Sequence, residues 1–386
     1  MTLSSARQAL ACLFLLSGGA VGAWMPFVPV IAQRMGLAER DVGIFFGAVA
    51  LGAGLSMSGA GRWLTRFNRL AAAAAGGALF LFFLPLPFLA ASFPALLAIA
   101  LTLGAAYGLL DVSMNVGAAL LEREAGTPLM SSMHGFFALG TFGGAGLSSI
   151  VLAAVAAPPL TMMAAVSALL GLLLGPALRE MRGARLIGEA TRPASDRQPQ
   201  AGIPAVAALA GLAMLMEGAV ENWMVVFLNG EGYAPAEAAR MFTLYAGGFA
   251  AARLAGDRLI RRFGRRRIFT ASGSLATLGL MIGLRDPAEA AVTAVGFAVA
   301  GLGLANIVPM LFSAAGRMYG GDPAAGIARI AMVGYGGLLL GPPLIGAAAH
   351  LFGLPQTLAA LSGVGILCAL AGRGAWFEAG ESCASP

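Results

Sequence analysis

Long apolar runs recur along this chain, each about 20 residues or more, with little polar sequence between them. Such a run, folded as a helix, crosses the roughly 30 Å of a bilayer's hydrocarbon while satisfying its own backbone hydrogen bonds. Twelve runs are read, at 7–33, 41–63, 70–91, 95–121, 128–156, 159–178, 203–229, 236–261, 267–285, 288–318, 323–350 and 354–372. Only 11% of the 386 residues are charged. A soluble domain carries roughly a quarter, so this chain lacks the means to cover a water-facing surface. Its 55 glycines suit helices that associate by close packing in lipid. The expected fold is all-α and integral to the membrane, with twelve transmembrane helices.

The one long polar stretch, 179–202, is rich in Arg, Pro and Ser and reads as a cytoplasmic linker. It separates an N-terminal six-helix bundle (1–178) from a C-terminal one (203–373), with a cytoplasmic tail at 374–386. An internal repeat supports two pseudo-symmetric bundles. Gly19 to Met25 reads G-A-V-G-A-W-M, and Gly218 to Met224, 199 positions on, reads G-A-V-E-N-W-M. The basic stretch Arg62 to Arg69 matches Arg258 to Arg265 at 196 positions, and Gly126-Thr127-Pro128 matches Gly321-Asp322-Pro323 at 195. Thr127 and Asp322 are helix N-caps, each followed by Pro at the first helical position. Parallel halves about a midplane site are a transporter architecture. The recurrence mid-chain also argues against reading residues 1–24 as a cleaved signal peptide.

All 24 basic residues are arginine, and their distribution sets the orientation. Placing both termini in the cytoplasm puts Arg7, Arg62, Arg66, Arg69, Arg123, the linker arginines, Arg258 to Arg267, Arg317, Arg329 and Arg373 inside. Only Arg34, Arg40, Arg240 and Arg285 then lie outside, which fits a multi-pass protein of the cell inner membrane. Because the arginines sit at membrane borders, the net charge of +6 does not imply nucleic acid. Three cysteines suggest no disulfide framework. No P-loop is present, and the two histidines, His134 and His350, are far apart. No cofactor, metal or enzymatic activity is expected, and the chain is read as a monomer.

The stretch Gly256-Asp257-Arg258-Leu259-Ile260-Arg261-Arg262-Phe263-Gly264-Arg265-Arg266 resembles the cytoplasmic loop motif of the major facilitator superfamily, here between the eighth and ninth helices. Its first-half counterpart, Ala60-Gly61-Arg62 to Arg69, is degenerate and lacks the Asp. Three further stretches resemble the fucose-permease-like, YbjJ-type branch: YGLLDVSMNVGAALLERE (Tyr107–Glu124), TPLMSSMHGFFALGTFGGA (Thr127–Ala145) and VGYGGLLLGPPLIG (Val333–Gly346). The resemblance covers essentially the whole chain. It implies the major facilitator fold, and its best-known relatives are proton-coupled sugar permeases, with drug exporters as neighbours. The drug-antiporter Gly-Pro signature of the fifth helix is missing, although Gly341-Pro342 occurs on the eleventh.

Ionisable residues at bilayer depth are costly and usually face a cavity or a partner. Glu217 and Glu221, four residues apart, share one face of the seventh helix. Two carboxylates on one face at low dielectric suit a proton carrier. They also suit plain hydrogen bonds to neighbouring helices, or a place for Glu221 in an outer vestibule. Asp111 and Asn115 share a stripe of the fourth helix with Tyr107, and an offset of 195 carries Asp111 onto Asn306. The permease resemblance implies a coupling carboxylate on this helix; structural hydrogen bonds are the other reading for Asn115 and Asn306. His134, which the same offset carries onto Arg329, reads as a gate residue bonding across the halves, with a proton relay as the other reading. Asp257, with Arg258 and Arg262 beside it, is implied to dock on the N-terminus of the fifth helix as a conformational latch. The alternative is an exposed ion pair. Trp24 and Trp223, matched in the seven-residue echo and flanked by Asn222, read as cavity walls or as interfacial aromatics.

The expected activity is secondary active transport of a small polar, sugar-like solute by alternating access, coupled to protons through Glu217 and Asp111 with Glu221 modulating. Tyr107, Asn115, Asn222, Asn306 and the two tryptophans are the expected substrate contacts. Proton-driven export of amphipathic or cationic compounds is the alternative, and a non-transporting receptor or a lipid flippase on the same fold is a third.

Overall fold

The computed structural model describes residues 3–63, 69–126, 129–155, 157–180, 202–318 and 323–373. All regular structure among them is helical. Each apolar run forms a segment: α1 (Leu3–Met35), α2 (Glu39–Trp63), α3 (Arg69–Phe83), α4 (Phe93–Ala125), α5 (Met130–Ala154), α6 (Pro159–Gly171, resumed as Leu174–Glu180), α7 (Ile203–Gly230), α8 (Pro235–Phe263), α9 (Arg265–Arg285), α10 (Ala290–Leu304 and Ile307–Met318), α11 (Pro323–Phe352) and α12 (Leu354–Ala360 and Ser362–Ala371). Ten of them are long and apolar enough to cross a membrane. The other two are α6, interrupted after 13 residues, and α8, whose 29 residues carry charges at both ends and in the body.

Local chemistry sets the breaks. In α1 a 3-10 turn at Met25–Phe27 interrupts the helix where Pro26 and Pro29 withdraw backbone donors. The Ser92 hydroxyl caps α4 by accepting from the Ala95 amide at 3.4 Å. The same helix ends at Gly126, which takes a left-handed φ of 64° that a side chain would resist.

The chain forms two compact units. The first is Met1–Ala190 with Leu228–Ala246, and the second is Thr191–Phe227 with Gly247–Pro386. The end of α7 and the first three turns of α8 therefore go with the first unit. There the Gln33 amide donates to Asn229 Oδ1 at 2.7 Å, and Ser149 Oγ donates to the Ala236 carbonyl at 3.5 Å. Most of the expected linker (181–201) and the tail (374–386) lie outside the described residues.

Within the first unit α1 packs along α5, and α2 and α3 along α4. Within the second, α7 packs on α11, α8 on α10, and α9 on α10 and α12. The same pairing order in both units is the structural form of the repeat. Close backbone approach at glycines fixes its register. A Cβ at Gly140 would strike the Leu15 carbonyl, and one at Gly144 the Gly19 carbonyl. On α11, Gly337 meets the Gly211 carbonyl and Gly341 meets Leu215. These pairs correspond at 196 positions on α1 and α7 and at 197 on α5 and α11. The seven-residue echo at 199 is therefore out of register by three residues, almost one helical turn. Gly218 corresponds to Gly22, Glu217 to Val21, Glu221 to Met25 and Trp223 to Phe27. Trp24 and Trp223 are not repeat mates.

The pairing of Asp111 with Asn306 fails in the same way. Gly52 sits against Leu101 and Ala105, and Gly248 against Ala298 and Leu302. Carried along α4 and α10, that correspondence sets Asn306 opposite Leu109.

Candidate functional site

The second unit holds the charged constellation. Glu217 and Glu221 lie one turn apart on α7, both half-buried, where the first unit has Val21 and Met25. Across from them on α8 stands Arg253, a residue that sequence reading missed. Its Nη2 is 3.9 Å from Glu217 Oε1, with side-chain exposures of 14% and 21%. The guanidinium lies 5.0 Å from the centre of the Phe249 ring, one turn back on the same helix, at cation–π distance. At 3.9 Å the ion pair is attractive but beyond hydrogen-bond length. Glu217 Oε2 is buried and accepts no hydrogen bond among the described residues. Taking ions out of water is repaid by nearby opposite charge, and Glu217 and Arg253 supply it to one another.

The neutral polar groups nearby are committed to backbone. Asn222 Nδ2 donates to the Gly218 carbonyl of its own helix at 2.6 Å. Asn306, 6% exposed, donates from α10 to the Ala252 carbonyl of α8 at 3.0 Å. It also explains the loop-motif glycine: a Cβ on Gly256 would occupy the place of the Asn306 carboxamide oxygen. The structure thus gives Asn306 the interhelix bond that was its second reading. Trp223 is fully buried, as is its mate Phe27.

In the first unit, Asn115 Nδ2 donates to the Asp111 backbone carbonyl at 2.8 Å and to its carboxylate at 3.2 Å. Tyr107 lies against Phe80 with ring centres 5.3 Å apart. The Trp24 indole donates to the Leu84 carbonyl at 3.2 Å and stacks on Phe45 at 5.4 Å. At 4% exposure it too is buried. His134, near the start of α5, meets the Phe14 ring edge-on at 5.4 Å.

Asp257, Arg258 and Arg262 are exposed near the end of α8, with Arg262 5.3 Å from the Phe263 ring centre. The N-terminus of α5, the expected dock for Asp257, already has an anion. Glu122 Oε2 accepts from the Leu129 and Met130 amides at 2.7 and 2.9 Å. The side chain of Arg329, and both Thr127 and Pro128, lie outside the described residues.

Comparison with known proteins bears on this arrangement. Residues 206–378, which contain Glu217, Glu221 and Arg253, match the profile of the Major Facilitator Superfamily. A Yersinia pestis protein described as an uncharacterised MFS-type transporter is 32% identical over 344 residues, 88% of each chain. This chain belongs to the major facilitator superfamily. It is a multi-pass membrane transporter of that type. The membrane protein MosC of Rhizobium meliloti is 30% identical over 373 residues, 94% of this chain and 88% of MosC. Among solved structures, a variant of the nucleoside transporter NupG superposes with a TM-score of 0.70 at 12% identity, covering 95% of this chain and 98% of its own. That similarity establishes the major facilitator fold. The first unit of this transporter carries Val21, Met25 and Met57 at the positions that correspond to Glu217, Glu221 and Arg253.

Proposed function

We propose that this chain is a secondary active transporter that moves a small polar solute across the cell inner membrane by alternating access, driven by protons. The observation that carries the reading is the Glu217–Arg253 pair between α7 and α8, both side chains largely buried, with Glu221 one turn away on α7. A carboxylate held beside one arginine at bilayer depth is a group whose protonation changes its partners, which is what a coupling residue must do. Asp111 is proposed as the coupling carboxylate of the first unit, with Asn115 as its donor. The branch resemblance in Tyr107–Glu124, Thr127–Ala145 and Val333–Gly346 supports a hydroxylated, sugar-like solute. The arginine distribution supports cytoplasmic termini, with Asp257, Arg258, Arg262, His134 and Arg329 at the cytoplasmic gate. The six-plus-six division at 179–202 is part of the same proposal.

The second carboxylate, Glu221, also favours one other reading, proton-driven export of cationic compounds. Reconstitution into liposomes under an imposed proton gradient tests the main one. With a solute that shifts thermal unfolding of the purified protein, Glu217→Gln should abolish uphill uptake and spare exchange. Intact uphill uptake in that variant removes Glu217 as the coupler. Binding without any flux would make the chain a receptor.

A further inference from the structure

We infer that the hydrogen bond from Gln33 to Asn229 is a clasp that closes the end of the transporter where α1 and α7 finish, and that the hairpin Leu228–Ala246 is the part that swings away when this end opens. The inference deepens the alternating-access reading above and rests on it.

The partners are repeat mates. Glycine contacts set the repeat at 196 positions on α1 and α7, and Gln33 and Asn229 stand 196 apart. The turns that follow them match at the same spacing. The Leu37 amide donates to the Ala32 carbonyl at 2.9 Å, and the Tyr233 amide to the Leu228 carbonyl at 3.1 Å. Gly36 and Gly232 take left-handed φ values of 64° and 95°. Asp41 accepts from the Ala38 amide at 3.2 Å, and Glu237 from the Ala234 amide at 3.3 Å. Each helix therefore ends in the same glycine stop, and the next begins with the same carboxylate cap. A bond between mates joins like point to like point, so it marks where the ends of the two repeats come together.

Asn229 is oriented for this bond. Its Nδ2 donates to the Tyr233 carbonyl of its own turn at 3.1 Å, which aims Oδ1 at Gln33 Nε2, 2.7 Å away. A neutral amide pair in an exposed place contributes little net stability, which suits a contact broken in every cycle.

The two sides are fastened differently. Arg34, next to Gln33, donates to the Phe88 and Ala90 carbonyls between α3 and α4, which ties the end of α1 to its own unit. Its mate is Gly230, which has no side chain to do the same. Contacts of the hairpin with that unit include the clasp, the Ser149 bond to the Ala236 carbonyl and Thr243 against Gly146, and all three are neutral. The hairpin is thus the side built to move. It continues α7, where Asn229 lies eight residues, about 12 Å, beyond Glu221. Alternating access requires each end of the bundle to part in turn, and a helix that carries both clasp and carboxylates links the parting to the site.

The test is thiol labelling of the purified full chain in nanodiscs. Ser149→Cys, with the three native cysteines replaced by alanine, puts a reporter under the hairpin, at a position only 6% exposed. Its labelling rate by a water-soluble maleimide follows the fraction of molecules in which the hairpin has parted. In that background Gln33→Ala and Asn229→Ala should each raise the rate about fivefold, the effect of one lost neutral hydrogen bond. The two together should raise it no further, because the bond is already gone. Gln33→Asn/Asn229→Gln, which exchanges the mates, should return the rate to within about twofold of the parent. Unchanged rates in both single variants overturn the inference, and so do effects that multiply in the double variant. Faster hydrogen exchange at Gly232 and Tyr233 with an unchanged reporter also overturns it, because that marks a bond that braces only its own turn. Intact uphill uptake in Glu217→Gln, beside the expected labelling, would sink proton coupling and leave the clasp. Uphill uptake lost in Glu217→Gln, beside a silent reporter, would sink the clasp and leave proton coupling.

Discussion

Glu217 on α7 and Arg253 on α8 face each other at 3.9 Å, two charges of opposite sign on neighbouring helices, with Phe249 beside the cation. Removing one of them takes a nearby opposite charge from the other. Arg253→Gln and Glu217→Gln should each lower the unfolding midpoint, and the double variant should recover part of the loss. A double-mutant cycle should give a coupling of about 0.5–3 kcal/mol, towards the lower end because both side chains keep some solvent contact. Strictly additive losses would show that the pair contributes nothing.

Helix pairing at glycine is a second place to intervene. Gly337 lies against the Gly211 backbone, whereas Gly336, its neighbour, has open space where a side chain would be. Gly337→Leu should destabilise by about 1–3 kcal/mol or prevent folding, through forced separation of α7 and α11. Gly336→Ala should stay within about 0.5 kcal/mol of the wild type. Thermal melts of both in detergent decide it, and equal effects would refute the close approach.

Gly256 and Asn306 make a linked pair. Gly256→Ala should displace the Asn306 carboxamide and cost its hydrogen bond to Ala252, about 1 kcal/mol. In an Asn306→Ala background the same substitution should cost much less. Such non-additivity would show that this glycine of the loop motif is required by a neighbouring helix rather than by the loop.

Glu122 caps α5 from the end of α4 through two amides. Glu122→Ala should lower stability by about 0.5–2 kcal/mol, the range of a lost helix cap, with Glu122→Gln intermediate. Hydrogen exchange at Leu129 and Met130 should quicken in both variants. Unchanged exchange there would mean that those amides do not depend on Glu122.

The helices were legible because lipid imposes a length and a polarity on anything that crosses it. Arg, Pro and Ser crowded into 179–202 marked the polar break equally plainly. The register of the repeat was not legible. G-A-V is a common string in a chain so rich in small residues, and a slip of three places preserves a helix face almost as well as a true match. Only the backbone contacts of Gly140, Gly144, Gly337 and Gly341 distinguish the two. Arg253 escapes a reading that weighs arginines as topology markers at span ends. The signal that would have found it is a full charge well inside the run 236–261, one turn after Phe249. The role of the tryptophans is not legible either, because an aromatic in an apolar run looks the same whether it lines a cavity or fills a core.

The hairpin Leu228–Ala246 belongs with the first unit although the chain reaches it only after entering the second. This has a consequence for biosynthesis. A ribosome adding about 5–20 residues per second passes Ala190 several seconds before Ala246, and domains otherwise tend to fold as they emerge. The nascent first unit must wait in the membrane, still lacking the Asn229 partner of Gln33, while α7 is threaded in behind it. Its completion is a post-insertion event, and a chain arrested before α8 would present quality control with a half-closed bundle.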